Sequence, residues 1–501
     1  MNRVPLNKYL INFISPNTKK FIFADYNNGL DSKSAKKIIT KIISCIGVNK
    51  KKGSGVGIYL PRNLYYLVSI FSVLVSGNYF IPLNQSWPRK HLIKIINHSK
   101  PKFIISDKKL NLNKHVKILR FNEILKIKKK TDFKFFKFSE NRLAYIVYTS
   151  GSSGEQKGVM ISRKGFLSYL DWVKNYFKKK MHISKLIITG EMTFDIAMAD
   201  IANALAFKST IYLTPQTNNL IKAVNMIYQN KIDTIYGVPT TLRNLFMFSK
   251  MRKNKELKSI KNIFCGGDIF DPKLLKLIRS ENKKINVFNM YGPTEVSMNC
   301  LCQNLTNFKL NNKTKVIPNG KGFAHLDYKL LNLQKNKIDK NFGELIVSGD
   351  QCMNGYLKDN IKTKLSFIKY KGKNYYKTGD LFKKKNNIFF YEGRKDKQIK
   401  IKGYRVSLNS IDLFLQKLLV VKESKTILLT QEKIITFCDL NNMIKNKVKK
   451  DKFLILLKKN LPNYMIPNEI IFLNKIPYNE SGKFDETYLK KNYLFLKKKI
   501  K

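Results

Sequence analysis

Short apolar, β-branched runs recur at residues 56–60, 80–82, 103–106, 143–149, 186–189, 210–213, 234–236, 262–265 and 287–290. Runs of this length without polar alternation fit strands buried on both faces, as in parallel sheets. Between them, apolar positions return every three to four residues at 35–46, 91–97, 166–177 and 220–230, the spacing of amphipathic helices. Strand alternating with helix predicts a large α/β domain of parallel sheets flanked by helices. From about residue 327 the strands become shorter and alternate in polarity, with antiparallel pieces expected at 343–349 and 387–391. The roughly hundred residues after Gly393 suit a small α+β domain. A chain of 501 residues exceeds one ordinary core, so at least two domains are expected.

One segment, 64–83, carries no charge over twenty residues, the length that spans a bilayer. Gly77-Asn78 interrupts it and Pro82 closes it, so it reads as a buried helix followed by a buried strand. No membrane insertion is expected, and the N-terminus lacks the apolar core and cleavage site of a signal peptide. The formal net charge is +61, with 95 basic residues of which 11 are Arg. The lysines are spread along the whole chain and no RNA-binding signature accompanies them, so compositional bias is the reading and no nucleic-acid partner is expected. The six cysteines (Cys45, Cys265, Cys300, Cys302, Cys352, Cys438) form no CxxC pair and read as reduced cytoplasmic thiols.

The richest chemistry lies at residues 148–158, Tyr148-Thr149-Ser150-Gly151-Ser152-Ser153-Gly154-Glu155-Gln156-Lys157-Gly158, directly after an apolar strand. Glycines at 151, 154 and 158 let backbone N–H groups approach an anion. The hydroxyls of Thr149, Ser150, Ser152 and Ser153 add donors, and Lys157 adds a point charge suited to phosphate. Gly158 stands where a Walker loop requires Ser or Thr, so this is another kind of phosphate loop.

The loop resembles that of the acyl- and aminoacyl-adenylate-forming superfamily, which includes acyl-CoA synthetases, luciferases and peptide-synthetase adenylation domains. Its usual form is YTSGTTGxPKG; here Ser152-Ser153 replace two threonines and Gln156 replaces Pro. Further segments resemble family motifs in the same order. Residues 73–88 resemble LKAGGAYVPLDPxxP, and Cys265-Gly266-Gly267-Asp268 resembles the glycine loop near the adenine. Asn289-Met290-Tyr291-Gly292-Pro293-Thr294-Glu295 resembles NxYGPTE. Residues 343–357 resemble GELxIxGxxxxxGYL, and Tyr376-Lys377-Thr378-Gly379-Asp380 resembles YxTGD. Residues 393–406 resemble GRxDxQVKIRGxRI, 461–467 resemble LPxYMIP, and Asn479 to Lys483 resemble NxxGK. The resemblance runs from about Gly53 to Asp485.

What it implies is an enzyme that activates a carboxylic acid with ATP and Mg²⁺. Tyr291 would pack against adenine, Asp380 and Arg394 would hold the ribose, and Thr294 and Glu295 would serve phosphate and metal. Lys483 would be the catalytic lysine. The fold implied is an N-terminal domain over 1–393 with a smaller β subdomain at 327–393, a hinge at 394–396 centred on Asp396, and a mobile C-terminal lid domain at 397–501. Phe194-Asp195 resembles the FD of amino-acid-activating members, whose carboxylate meets the substrate's α-ammonium. A helix N-cap is the competing reading of Asp195. Ile196, Ala199, Tyr236, Ile263, Cys265, Met290, Met298 and Asn299 would line the rest of the pocket. No carrier segment follows in the sequence, so the expected acceptor is the phosphopantetheine thiol of a separate carrier protein. The family's other activity is acyl-CoA synthesis from a fatty or aryl acid, and Asp195 discriminates between the two.

Overall fold

The computed structural model describes residues 3–15, 20–112, 116–128, 136–150, 156–215, 219–252, 256–311, 314, 316–396, 398–401, 404–418, 420–430, 433–440, 450–478 and 484–498. It divides into two compact units. One holds residues 1–85, 96–148 and 158–395; the other holds 86–95, 149–157 and 396–501.

The first unit contains the sheets that the apolar runs predict. In one, six strands are parallel in the order Asn286–Tyr291, Asn262–Cys265, Thr234–Gly237, Lys185–Ile188, Thr210–Leu213 and Phe21–Ala24. Antiparallel strands Leu301–Asn304 and Lys321–Gly322 close one edge and Gly29–Asp31 the other. A second sheet carries Leu143–Ser150, Tyr79–Pro82, Gly55–Tyr59, Phe103–Ser106 and Lys117–Arg120 in parallel. The uncharged segment at 64–83 is the helix Leu64–Val75 followed by the strand Tyr79–Pro82, and among the described residues no helix is long and apolar enough to cross a membrane. Gly77 makes the turn with φ +77, a left-handed conformation that favours glycine. A third, antiparallel sheet is built from Asp327–Asn332, Lys337–Asp339, Phe342–Ser348, Phe367–Tyr370, Lys373–Lys385 and Ile388–Arg394.

One apolar cluster joins Phe71, Phe80, Tyr145, Tyr169, Ala199, Tyr236, Phe264 and Met290, and a second gathers Ile235, Ile263, Cys265, Leu242 and Leu274 on the other face of the nine-stranded sheet. Strand periodicity explains the division. Tyr236 pairs in register with Phe264, and Ile235 with Ile263, so alternate residues go to opposite faces.

In the second unit, Val421–Thr430, Lys433–Leu440 and Glu469–Leu473 form a three-stranded sheet, and Gln398–Ile401 pairs with Tyr404–Ser407. The helices Leu408–Gln416 and Glu486–Lys498 contribute to its apolar clusters through Ile411 and Leu489. None of the six cysteines is bridged.

Candidate active site

The family-like stretches around Gly266 and Tyr291 lie at the carboxyl ends of parallel strands, where open α/β sheets present their ligand crevices, while Asp380 and Arg394 stand in the antiparallel sheet. Tyr291 ends its strand and Gly266 follows the neighbouring one; Asp195 opens the helix Asp195–Phe207 after Lys185–Ile188.

The turn after Tyr291 is tightly built. A Cβ on Gly292 would stand 2.5 Å from both Asn299 Cα and Met298 O, so only glycine lets the chain fold back there. Ser297 and Met298 then take positive φ values of 47° and 79°, uncommon for non-glycine residues. Gln351 holds this backbone. Its Nε2 donates to Val296 O, Ser297 O and Asn299 O at 3.0, 3.3 and 2.8 Å, and Ser297 Oγ donates to Gln351 O at 2.7 Å. Within the turn, Thr294–Val296 is a short 3₁₀ helix and Glu295 is fully buried, accepting a 2.9 Å hydrogen bond from Tyr356 Oη. Tyr356 closes the stretch that resembles GELxIxGxxxxxGYL, and its hydroxyl orients this carboxylate.

The expected ribose pair is preassembled. Arg394 Nη1 lies 2.5 Å from Asp380 Oδ1, and Tyr291 Oη donates to Asp380 Oδ2 at 2.5 Å. Gly379 has φ +75, and a Cβ there would meet Arg394 Nη2 at 2.6 Å. Burial, and next the Asp380 carboxylate, push the Tyr291 hydroxyl well above its ordinary pKa, so it stays a donor. Beside this cluster, Gly379 N donates to Glu344 Oε1 and Lys395 Nζ pairs with Glu344 Oε2, at 2.8 and 2.7 Å.

At the expected adenine end, Gly267 adopts φ +85 and Asp268 caps its own turn through Ile269 N at 2.8 Å. Asn289 donates from Nδ2 to Pro318 O at 2.8 Å, while its buried Oδ1 has no hydrogen bond among the described residues. An orphaned buried acceptor fits an exocyclic amine such as that of adenine. Asn289 was not singled out from the sequence, although it opens the NxYGPTE stretch.

The substrate end is enclosed. Asp195 is 9% exposed and is the first residue of its helix; Phe194, extended at φ −112 and ψ 150, occupies the N-cap position. The N-cap reading of Asp195 is therefore corrected. Tyr236 Oη donates to Asn299 Oδ1 at 2.8 Å, and Asn299 Nδ2 donates to Tyr169 Oη at 3.2 Å. Burial is the main cause that raises the pKa of Tyr145, Tyr169 and Tyr236, and the Asp195 carboxylate adds to it at each of the three. Ala199, Met290 and Met298 share the apolar cluster of Tyr236. Cys265 and Ile263 do not: both sit in the second cluster, and Cys265 pairs in register with Asn289. Phe264, one position away, takes the place beside Tyr236 with ring centroids 5.9 Å apart. Strand alternation is the physical reason for this division, and Cys265 still acts electrostatically on the Tyr236 hydroxyl.

Lys157, Thr149 and Asp396 lie in the second unit. Thr149 Oγ1 is buried without a partner among the described residues, as suits a hydroxyl awaiting a phosphate oxygen. Gln156 Nε2 lies 3.2 Å from His91 Nε2. Gly151, Ser152, Ser153, Gly154, Lys483 and the side chain of Ser150 fall outside the described residues.

Residues 41–357 match the AMP-binding enzyme family. The chain is 26% identical over 443 residues to a D-alanine–D-alanyl carrier protein ligase of Bacillus licheniformis, covering 84% of this chain and 86% of that one. It is 27% identical over 450 residues to gramicidin S synthase 2 of Aneurinibacillus migulanus, covering 87% of this chain but 10% of that far longer protein. The Vibrio cholerae adenylation domain AlmE, solved with glycyl-adenosine-5'-phosphate, superposes with TM-score 0.81 at 18% identity, covering 99% of each chain. An artificially fused adenylation–PCP di-domain, NpsA-ThdA from Klebsiella oxytoca, superposes with TM-score 0.80 at 17% identity over 99% of this chain and 98% of the other. At such identities the solved structures establish the fold alone. With more than half of the chain matched by one family, this chain belongs to the AMP-binding enzymes.

Proposed function

We propose that the enzyme adenylates an amino acid with ATP and passes the aminoacyl group to the phosphopantetheine thiol of a separate carrier protein. The observation that carries the amino-acid reading is Asp195, a carboxylate at a helix start, almost excluded from water and set among the tyrosines Tyr145, Tyr169 and Tyr236. A carboxylate so desolvated is best offset by a cation, and an α-ammonium supplies one. The carrier reading draws support from the ligase relative of which this chain spans 86%. The high positive charge would favour encounter with an acidic carrier.

In the first half-reaction a substrate carboxylate oxygen bonds to the α-phosphorus and the bond to pyrophosphate breaks. Both partners are anionic, so the site must supply positive charge and alignment. Lys483 would bridge the substrate carboxylate and α-phosphate. Lys157, with Thr149, Ser150, Gly151, Ser152, Ser153 and Gly154, would hold the departing phosphates, and Thr294 would donate to phosphate. Asn289 would accept from adenine, while Asp380 and Arg394 would open toward the ribose diol.

Mg²⁺ commonly takes one or two protein carboxylates plus substrate phosphates. The oriented oxygens of Glu295 fit that donor set, and among the described residues no group of three or more His, Cys, Asp and Glu offers an all-protein cage. When bound, the ion would offset charge on pyrophosphate. In the second half-reaction the thiol attacks the carbonyl, a thioester forms and AMP leaves. Rotation of the second unit about Asp396 would withdraw Lys483 between the halves.

ATP–pyrophosphate exchange across amino acids and simple acids tests the proposal. We expect exchange with an amino acid and loss of it in Asp195→Ala. Exchange that survives Asp195→Ala, or that responds equally to the acid lacking its amino group, would overturn the amino-acid reading. Thioester formation on coenzyme A but on no carrier would overturn the carrier reading.

A further inference from the structure

A substrate held by its ammonium at Asp195 would direct its side chain toward the ends of the strands Thr234–Gly237, Asn262–Cys265 and Asn286–Tyr291. That region is already spanned by protein. Tyr236, Asn299 and Tyr169 form a continuous hydrogen-bonded chain across it, at 2.8 and 3.2 Å, and relative exposures are 0, 4 and 0%. Phe264 and Phe288 continue the packed layer behind Tyr236, with ring centroids 5.4 Å apart. The Tyr236 hydroxyl reaches so far that a Cβ on Gly266 would stand 2.7 Å from it and 2.8 Å from Met290 O.

We infer that the Tyr236–Asn299–Tyr169 chain is a fixed floor that restricts the enzyme to glycine or alanine, and that Tyr169 is a specificity-determining residue. This rests on the amino-acid reading above. A larger side chain would have to separate Tyr236 from Asn299. That would leave a buried hydroxyl and a buried amide unpaired where no water replaces the partner. Displacement would also strain a core that already lacks room for one added carbon at Gly266. Tyr169 acts from the far end: its hydroxyl accepts from Asn299 and so holds the amide oxygen turned toward Tyr236.

The test is ATP–pyrophosphate exchange with glycine, both enantiomers of alanine, 2-aminobutyrate, valine, leucine and phenylalanine. Glycine or alanine should have the highest kcat/KM, falling roughly 10–200-fold for each methylene the floor cannot accommodate. Tyr236→Ala should raise the leucine-to-alanine ratio of kcat/KM by about tenfold or more. Tyr169→Phe keeps the ring and should also shift that ratio toward 2-aminobutyrate and valine. Wild-type kcat/KM for leucine or phenylalanine equal to that for alanine overturns the inference while leaving the amino-acid reading intact. This wild-type series decides even where a variant fails to fold. Exchange supported by propionate as well as by alanine instead overturns the reading on which the inference rests.

Discussion

Arg394 and Asp380 meet at 2.5 Å with their side chains only 7% and 2% exposed. A pair this desolvated is held less for net stability than for the geometry it imposes, because two charges removed from water roughly cancel their own attraction. Removing one partner is different. Arg394→Met should leave Asp380 a buried, uncompensated carboxylate and cost about 3–5 kcal/mol in urea unfolding. Replacing both residues with apolar ones should recover much of that loss while nucleotide binding stays impaired. If the single substitution costs no more than the double, the pair is not the coupled unit the geometry indicates.

Glu344 makes a different kind of anchor. It is fully buried, accepts from Gly379 N and pairs with Lys395, whose own N–H donates to Gly379 O at 3.0 Å. These contacts fix the last residue before the proposed pivot at Asp396. Lys395→Met should leave pyrophosphate exchange nearly intact, since it touches no proposed ligand contact. It should slow thiol transfer by roughly tenfold, because a loosened pivot degrades the closure that sets turnover. Separate assays of the two half-reactions check this; equal losses in both would refute it.

The parts of this protein that could be read from its sequence are those fixed by local periodicity. The strand Thr234–Gly237 and its neighbours appear as apolar runs because both of their faces are buried. Tyr291, Asp380 and Arg394 were found because they stand in ordered motifs. Tyr169, Phe264 and Gln351 were not. Tyr169 lies in an ordinary amphipathic helix, and only the fold brings it to Asn299, 130 residues away. The choice between Phe264 and Cys265 depends on which way a four-residue strand faces, and a strand buried at every position has no solvent face to reveal it. Gln351 acts on three backbone carbonyls, a role without a composition signal.

Gly292→Ala tests the turn that presents Thr294 and Glu295. The new methyl would meet backbone atoms at 2.5 Å, and backbone cannot swing aside as a side chain can. Overpacking of this kind costs about 1–3 kcal/mol or more. We expect a lower Tm and a larger loss in exchange than in stability, since Glu295 moves with the turn. Wild-type exchange in a stable Gly292→Ala protein would show that the turn tolerates displacement.

His91 should make stability depend on pH in a defined window. It is buried against Trp87, 5.0 Å between ring centroids, and lies beside Gln156. Burial, then the charge of Lys94, lower its pKa from 6.5 to about 4. A histidine kept neutral by folding binds its proton more readily in the unfolded chain. Its contribution is therefore complete above pH 6.5 and is lost as the pH falls toward 4. The fall from 6.5 to about 4 corresponds to roughly 3.5 kcal/mol at ~1.4 kcal/mol per pH unit. Urea unfolding between pH 4.5 and 8 should show a steeper acid-side fall for the wild type than for His91→Gln, and parallel curves would refute the assignment.

Lys483 separates positioning from charge. If it bridges the substrate carboxylate and the α-phosphate, its ammonium matters most where negative charge gathers during phosphoryl transfer. Lys483→Ala should then lower the rate of adenylate formation by roughly 10²–10³, the usual loss for one preorganised charge. ATP binding by equilibrium titration should change by less than about tenfold, because Asp380, Arg394 and the loop around Lys157 remain. Thiol transfer from a chemically supplied aminoacyl adenylate should proceed, since that step needs no charge on an incoming carboxylate. A variant that forms adenylate at the wild-type rate, or that fails equally when given preformed adenylate, would remove Lys483 from this role.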